Sequence, residues 1–217
     1  NTAQHPCFKT TSLTGDSALD LAASGSNLSD VIQSLDSDGF TIGLNARVNS
    51  NGITYYWIAF QESVSDFQEG SYSGNGVDNR SITGVGFQPD FVFIKKIASS
   101  EAMFRTNQDT TDISHEFDDL SFANMIQAFE ADGFQVGTDL DVNTTGTYIY
   151  CAFKTGSRFV TGTYTGNGLD NRSITGLGFQ PDIVIVKRIG SASEGVFRTV
   201  DISGDSSLLF LNGTAVI

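Results

Sequence analysis

GSYSGNGVDNRSITGVGFQPDFVFIKK, residues Gly70–Lys96, returns as GTYTGNGLDNRSITGLGFQPDIVIVKR at Gly162–Arg188. Nineteen of the 27 positions are identical, and the other eight are Ser/Thr, Val/Leu, Phe/Ile, Ile/Val and Lys/Arg exchanges. Self-similarity on this scale marks a repeated structural unit, and exchanges that conserve volume mean both copies fill similar environments. Within the phrase, Phe91, Val92, Phe93 and Ile94 are apolar at consecutive positions. That pattern predicts a central strand covered on both faces and opened by Pro89, which owes no ladder bond there.

Working outward, DVIQSLDSDGFTIG (Asp30–Gly43) matches NMIQAFEADGFQVG (Asn124–Gly137). Each is followed by a Val-Asn turn and an aromatic segment, TYYWIAF or TYIYCAF, and FKT at Phe8 recurs as FRT at Phe104 and Phe197. The blocks divide the chain into the back part of a unit (1–65), a whole unit (66–156) and the front part of another (157–217). The two outer parts are complementary, one carrying the DGF block and the aromatic strand, the other the GNG and GFQPD strands, so they complete one unit either in trans between chains or in cis within a two-unit monomer.

Phe122, Met125, Ile126 and Phe129 fall at helical spacing, with Ser121 as N-cap and Gly133 at the left-handed end position. Leu28, Val31, Ile32, Leu35 and Gly39 repeat the pattern, so one short amphipathic helix per unit is expected. Phe134–Val136 and Thr147–Phe153 read as strands of an aromatic hairpin, with Tyr148 and Tyr150 on one face and Ile149, Cys151 and Phe153 on the other. The expected fold is mainly β: tandem, jelly-roll-like β-sandwich units.

Composition agrees with a turn-rich β protein. The 217 residues include 23 Gly, 17 Phe and 6 Tyr, with 39% hydrophobic and 11% aromatic residues, which argues against disorder and against an all-helical fold. No apolar run reaches the roughly 20 residues that span a bilayer, so no membrane insertion is expected. The formal charge of -13 repels a phosphate backbone, so nucleic acid is not an expected partner. An initial Asn without a signal peptide reads as a processed chain or an excised piece. Two cysteines, Cys7 and Cys151, make either one disulfide or two buried thiols.

The GNGxDNRSITGxGFQPD phrase, the DGF block and the YYxxAF strand resemble a module found in tandem in large secreted bacterial surface proteins and phage tail-associated proteins. That resemblance implies a secreted, cell-surface or virion component and brings no catalytic residue with it.

The richest polar cluster is Asn75, Asp78, Asn79, Arg80 and Ser81, with its twin Asn167, Asp170, Asn171, Arg172 and Ser173. Asp and Asn side chains beside exposed carbonyls could bind Ca²⁺ or sugar hydroxyls, while turn chemistry explains the same residues without a ligand. Sequons at Asn27, Asn79, Asn143, Asn171 and Asn212 make glycosylation a third use. Asp139, Asp141 and Asn143 alternate like a calcium loop, but Arg47 stands at the matching place in the first unit. His115-Glu116 lacks the second His of a zinc helix, and neither a GxSxG nor a phosphate-cradling loop occurs, so no catalytic residue, resident metal or cofactor is expected. Tyr55, Tyr56 and Trp57, with Tyr148 and Tyr150, could form a sugar-stacking platform, but a strand face packed into a sandwich core is the favoured use. These readings favour a non-catalytic extracellular structural protein, a filament or surface-assembly subunit that self-associates head to tail. The alternatives are a glycan-binding adhesin or tail-fibre module and a fragment of a longer tandem array.

Overall fold

The computed structural model describes residues 5–21, 27–98, 100–117, 120–190, 193–209 and 215–216. In chain order its elements are β1 (Cys7–Phe8), β2 (Leu19–Asp20), β3 (Ile32–Asp36), β4 (Gly39–Ile42), the helix α1 (Ala46–Asn49), β5 (Phe67–Gly74), β6 (Arg80–Thr83), β7 (Phe91–Lys96) and β8 (Met103–Thr106). There follow β9 (Ser114–Glu116), β10 (Ser121–Phe122), β11 (Ile126–Glu130), β12 (Gly133–Val136), β13 (Gly146–Phe153), β14 (Ile183–Val186), β15 (Val196–Thr199), β16 (Ser207–Leu209) and β17 (Ala215–Val216). The protein is mainly β, and every strand pair is antiparallel.

The middle of the chain holds a six-stranded sheet, β10-β9-β8-β7-β13-β5, and a three-stranded sheet, β11-β12-β6. Both contribute to one core: Tyr72, Val92, Ile94, Met103, Tyr148, Tyr150 and Ala152 from the larger sheet meet Ile82, Ile126, Phe134 and Val136 from the smaller. β13 organises it. Its residues alternate between two buried faces, and it is paired along its length with β5 on one side and β7 on the other. Tyr148 stacks on Tyr72 with centroids 5.2 Å apart, and Phe134 meets Tyr150 edge-on at 5.2 Å. Burying each such side chain contributes about 1.5–3 kcal/mol, so this strand carries a large share of the core.

Ile149, on the other face of β13, packs with Leu13, Leu19, Phe8 and Ile97. Phe104 and Phe117 lie nearby with Leu21 and Phe197 packed against them. The three Phe-[Lys/Arg]-Thr strands therefore share one job on the outer face of this sheet. Their basic residues span the loop that follows: Lys9 Nζ donates to the carbonyls of Leu13, Gly15 and Ser17, and Arg105 to those of Asp109, Ile113 and Ile126. Arg198 donates to Gly204 and Ser206 in the same way.

Two expectations are corrected. The segment from Ser121 to Gly133 is no helix: β11 and β12 form a hairpin closed at Ala131–Asp132, and Ile32–Ile42 repeats it. A register shift between Ile126 and Ala128 breaks the alternation, and this bulge imitates helical spacing. Gly133 is required by its φ of +136° and by the close approach of Ile82, whose carbonyl oxygen would lie 2.0 Å from a Cβ, and not by a helix end. The one described helix, α1, has four residues and lies elsewhere. Nor do β12 and β13 form an aromatic hairpin, since they belong to different sheets.

Outside the middle unit the same sequence blocks are incompletely paired. β3 and β4 make an isolated hairpin, and Thr54–Phe60, the counterpart of β13, belongs to no strand. Toward the other end, Phe159–Gly166, the counterpart of β5, is likewise unpaired. β14 forms the edge of a four-stranded sheet, β14-β15-β16-β17.

Candidate functional site

The DNR turn of the middle unit is a grip on Asn143. The Asn143 Nδ2 donates to the Val77 and Gly137 carbonyls, each at 2.8 Å, while its Oδ1 accepts from the Asn75 N–H and Arg80, each at 3.1 Å. Gly76 N–H donates to the Asn143 carbonyl. Arg80 also donates to the Ser73 carbonyl and sits over the Tyr72 ring at 5.4 Å, and Tyr72 donates its hydroxyl to the Val142 carbonyl. Burial and the neighbouring Tyr148 push the Tyr72 pKa well up, so it stays a donor.

The remaining cluster residues close on themselves. Asn75 Oδ1 accepts from Val77 N–H, and Asp78 accepts from Asn79 Nδ2 and Gln127 Nε2. Asn79, at φ +56°, takes the left-handed turn position that asparagine tolerates. Turn chemistry thus engages Asn75 Oδ1, both Asp78 carboxylate oxygens and Asn79 Nδ2 within the folded chain. In the twin, Asn167 Oδ1 accepts from Leu169 N–H and Asp170 accepts twice from Asn171, at φ +54°.

A second grip went unread in the sequence. Asp132 receives the Gly84 N–H at 3.1 Å and the Gly86 N–H at 2.6 Å, tying the SITGxGF loop to the DGF hairpin. Its signal was present in the joint recurrence of DGF and TGxGF, since one phrase supplies the carboxylate and the other a pair of amides.

Among the other candidates, Asn143 is fully buried with its amide nitrogen engaged, so the folded chain offers no attachment point for a glycan there. Asn27, Asn79 and Asn171 are exposed, and Asn212 lies outside the described residues. Asp139 accepts from the Asp141 N–H, and burial lifts the Asp141 pKa against the opposing pull of Ser100, Lys95 and Lys96. Among the described residues no group of three His, Cys, Asp or Glu side chains could hold a metal ion. Arg47, at the matching place, donates to Asp20 at 3.0 Å. Cys7 and Cys151 are free thiols, and burial pushes both pKa values up. Tyr148 and Tyr150 belong to the core, whereas Tyr55, Tyr56 and Trp57 are exposed.

His115 lies between Ser121, 2.7 Å from its Nδ1, and Asp109, 2.8 Å from its Nε2. The chain of contacts has the residue types of a hydrolytic triad, but the histidine is buried and braces the β9-β10 turn against the loop after β8. Burial alone would raise the Asp109 pKa; hydrogen bonds from His115 and Thr106 more than reverse it and hold the carboxyl below its ordinary range.

The sequence copies outside the middle unit expose side chains whose counterparts are buried. Trp57 is 68% exposed where Tyr150 is 6%, and Tyr164 is 50% exposed where Tyr72 is 9%. Phe40, Ile42, Ile174 and Val184 are exposed where Phe134, Val136, Ile82 and Val92 are buried. Glycines tell the same story. A side chain at Gly70 would meet the Tyr150 hydroxyl at 2.5 Å and one at Gly74 the Thr144 carbonyl oxygen at 1.7 Å, yet at Gly162 and Gly166 it would meet nothing within 4 Å.

No helix among the described residues is long and apolar enough to cross a membrane. Residues 62–157 match a family described as a domain of unknown function (DUF7483). No curated protein and no solved structure matches the chain.

Proposed function

We propose that this chain is a non-catalytic structural subunit whose open half-units are completed by those of neighbouring copies, producing a secreted filament or surface assembly. The observation that carries this reading is the contrast between two copies of one strand. β13 is buried and paired on both sides, while Thr54–Phe60 is exposed throughout and paired on neither. The strands that would flank it, Phe159–Gly166 and the open edge of β14, lie in the other half-unit.

Joined, the halves reproduce the two-sheet core of residues 66–156, for which we assign a β-sandwich. Six exposed side chains, Phe40, Ile42, Trp57, Tyr164, Ile174 and Val184, would be buried as their counterparts are. At about 1.5–3 kcal/mol each, the gross gain is on the order of 10 kcal/mol, comparable to the ~4–15 kcal/mol that association costs. Such exposed strand edges need partners, and a head-to-tail contact propagates into a filament wherever its rotation does not close a ring. Within one chain Phe60 and Phe159 both pack against the Phe153 ring, yet neither segment is paired in a strand, so both edges stay open for completion between copies. Sedimentation velocity across a rising concentration series tests this: species growing beyond the dimer are expected, and a sharp monomer at every concentration would refute it.

A further inference from the structure

Beside the second DNR turn lies a cavity of about 300 Å³, lined by Tyr164, Gly166, Asn167, Leu169, Arg172 and Ile174 among others. In the middle unit the corresponding space is filled. Tyr72, Gly74, Asn75, Val77 and Arg80 stand at the matching positions, and they hold the Val142–Thr144 turn through the Val142 carbonyl, the Asn143 side chain and close approach of the Thr144 backbone. The empty version is set in the same pose: Arg172 donates to the Thr165 carbonyl and lies over Tyr164 at 5.4 Å, matching Arg80 over Tyr72 at 5.4 Å.

The chain carries one other copy of the missing piece. Val48 and Asn49 correspond to Val142 and Asn143, and Asn49 Nδ2 already donates to the Gly43 carbonyl at 2.8 Å, as Asn143 does to Gly137 at 2.8 Å. Asn49 is exposed. A second pair of features points to the same occupant. The Gly176 and Gly178 backbone has φ +94° and +85°, close to the +90° and +87° of Gly84 and Gly86, which bind Asp132. The counterpart of Asp132 is Asp38, exposed at the tip of the β3-β4 hairpin.

We infer that this cavity is a receptor for the Asn45–Ser50 turn of a second copy of this chain, with Asn49 held by the Asn167–Arg172 turn and Asp38 by the Gly176 and Gly178 amides. The inference rests on the assembly reading and adds its locking site. Asn49 then gains acceptors and donors it lacks in the free chain, and Asp38 gains two amides, so register is fixed by polar pairing rather than by apolar contact alone. An arginine, an asparagine and two amides also make the seat selective for this one turn.

The test is the assembly midpoint of the 217-residue chain and two variants, followed by light scattering. Gly166→Val fills the cavity where the free chain has room; Asp38→Asn keeps the hairpin but weakens the charge-assisted amide bonds. We expect unchanged melting of the dilute variants, a midpoint raised roughly 10–100-fold by Gly166→Val, and a several-fold rise for Asp38→Asn. Wild-type assembly that both variants match would overturn the locking site and leave the assembly reading standing. A wild-type chain that stays monomeric would overturn both.

Discussion

Gly162→Val separates the folding of the chain from its proposed completion. In the isolated chain the new Cβ meets nothing within 4 Å, and no positive φ opposes a valine. Its counterpart Gly70 lies under the Tyr150 side chain, where a Cβ would meet the hydroxyl oxygen at 2.5 Å and two ring carbons at 2.6 and 2.8 Å. In a completed unit the residue above Gly162 is Trp57, so valine must displace the indole. If the ring stays, overpacking costs about 1–3 kcal/mol; if it leaves, its burial is forfeited at about 1.5–3 kcal/mol, so either way the loss reaches about 3 kcal/mol, up to roughly a hundredfold in affinity. The assay is built in, because Trp57 is the sole tryptophan of the chain. Its emission should shift to the blue as wild-type protein is concentrated, and the shift should vanish or move to about hundredfold higher concentration in Gly162→Val. Gly70→Val, by contrast, should lower the melting temperature of the dilute chain. A Gly162→Val protein that shows the wild-type blue shift would refute the reasoning.

Asp109 gives a pH-dependent stability with a definite sign. Its folded pKa lies below the ordinary 3.8, so its contribution is fully present above that value and is lost as pH falls through the lower folded pKa. Urea denaturation should find Asp109→Asn about 1–3 kcal/mol less stable than wild type at neutral pH, with the gap narrowing below about pH 4; a gap independent of pH would contradict the pairing. Cys7 and Cys151 should both titrate as thiols after denaturation, while in the folded chain Cys151, 5% exposed and with its pKa raised, should resist thiol reagents. An intact mass lower by two hydrogens would instead show a disulfide.

Repetition was the legible part of this fold. Conserved side-chain volumes between Gly70–Lys96 and Gly162–Arg188 mark the repeated blocks, and the consecutive apolar residues of β7 identified a central strand, which β8 and β13 flank. The DNR cluster was legible only as an alternative, because Asn and Asp in a turn look alike whether they bind a ligand or each other; its true partner, Asn143, lies 63 to 68 residues away from Arg80 and Asn75. Periodicity misled at β11, where a bulge between Ile126 and Ala128 put apolar residues at helical spacing on a strand. The Phe-[Lys/Arg]-Thr repeat does not carry its meaning in the sequence, since nothing local shows that Arg105 reaches the loop carbonyls of Asp109 and Ile113 and that of Ile126 in β11. The Asp132 grip shows in the sequence only as the joint recurrence of DGF and TGxGF, because a carboxylate and two amides 46 to 48 residues away carry no spacing pattern.

The most direct test is amide hydrogen exchange across Thr54–Phe60 in dilute and in assembled wild-type protein. In dilute solution these amides should exchange at nearly the rate of an unstructured peptide, and on assembly they should become as protected as those of β13. Fast exchange of this segment within the assembly, or protection already complete in the monomer, would contradict the claim that neighbouring copies finish each other's sheets.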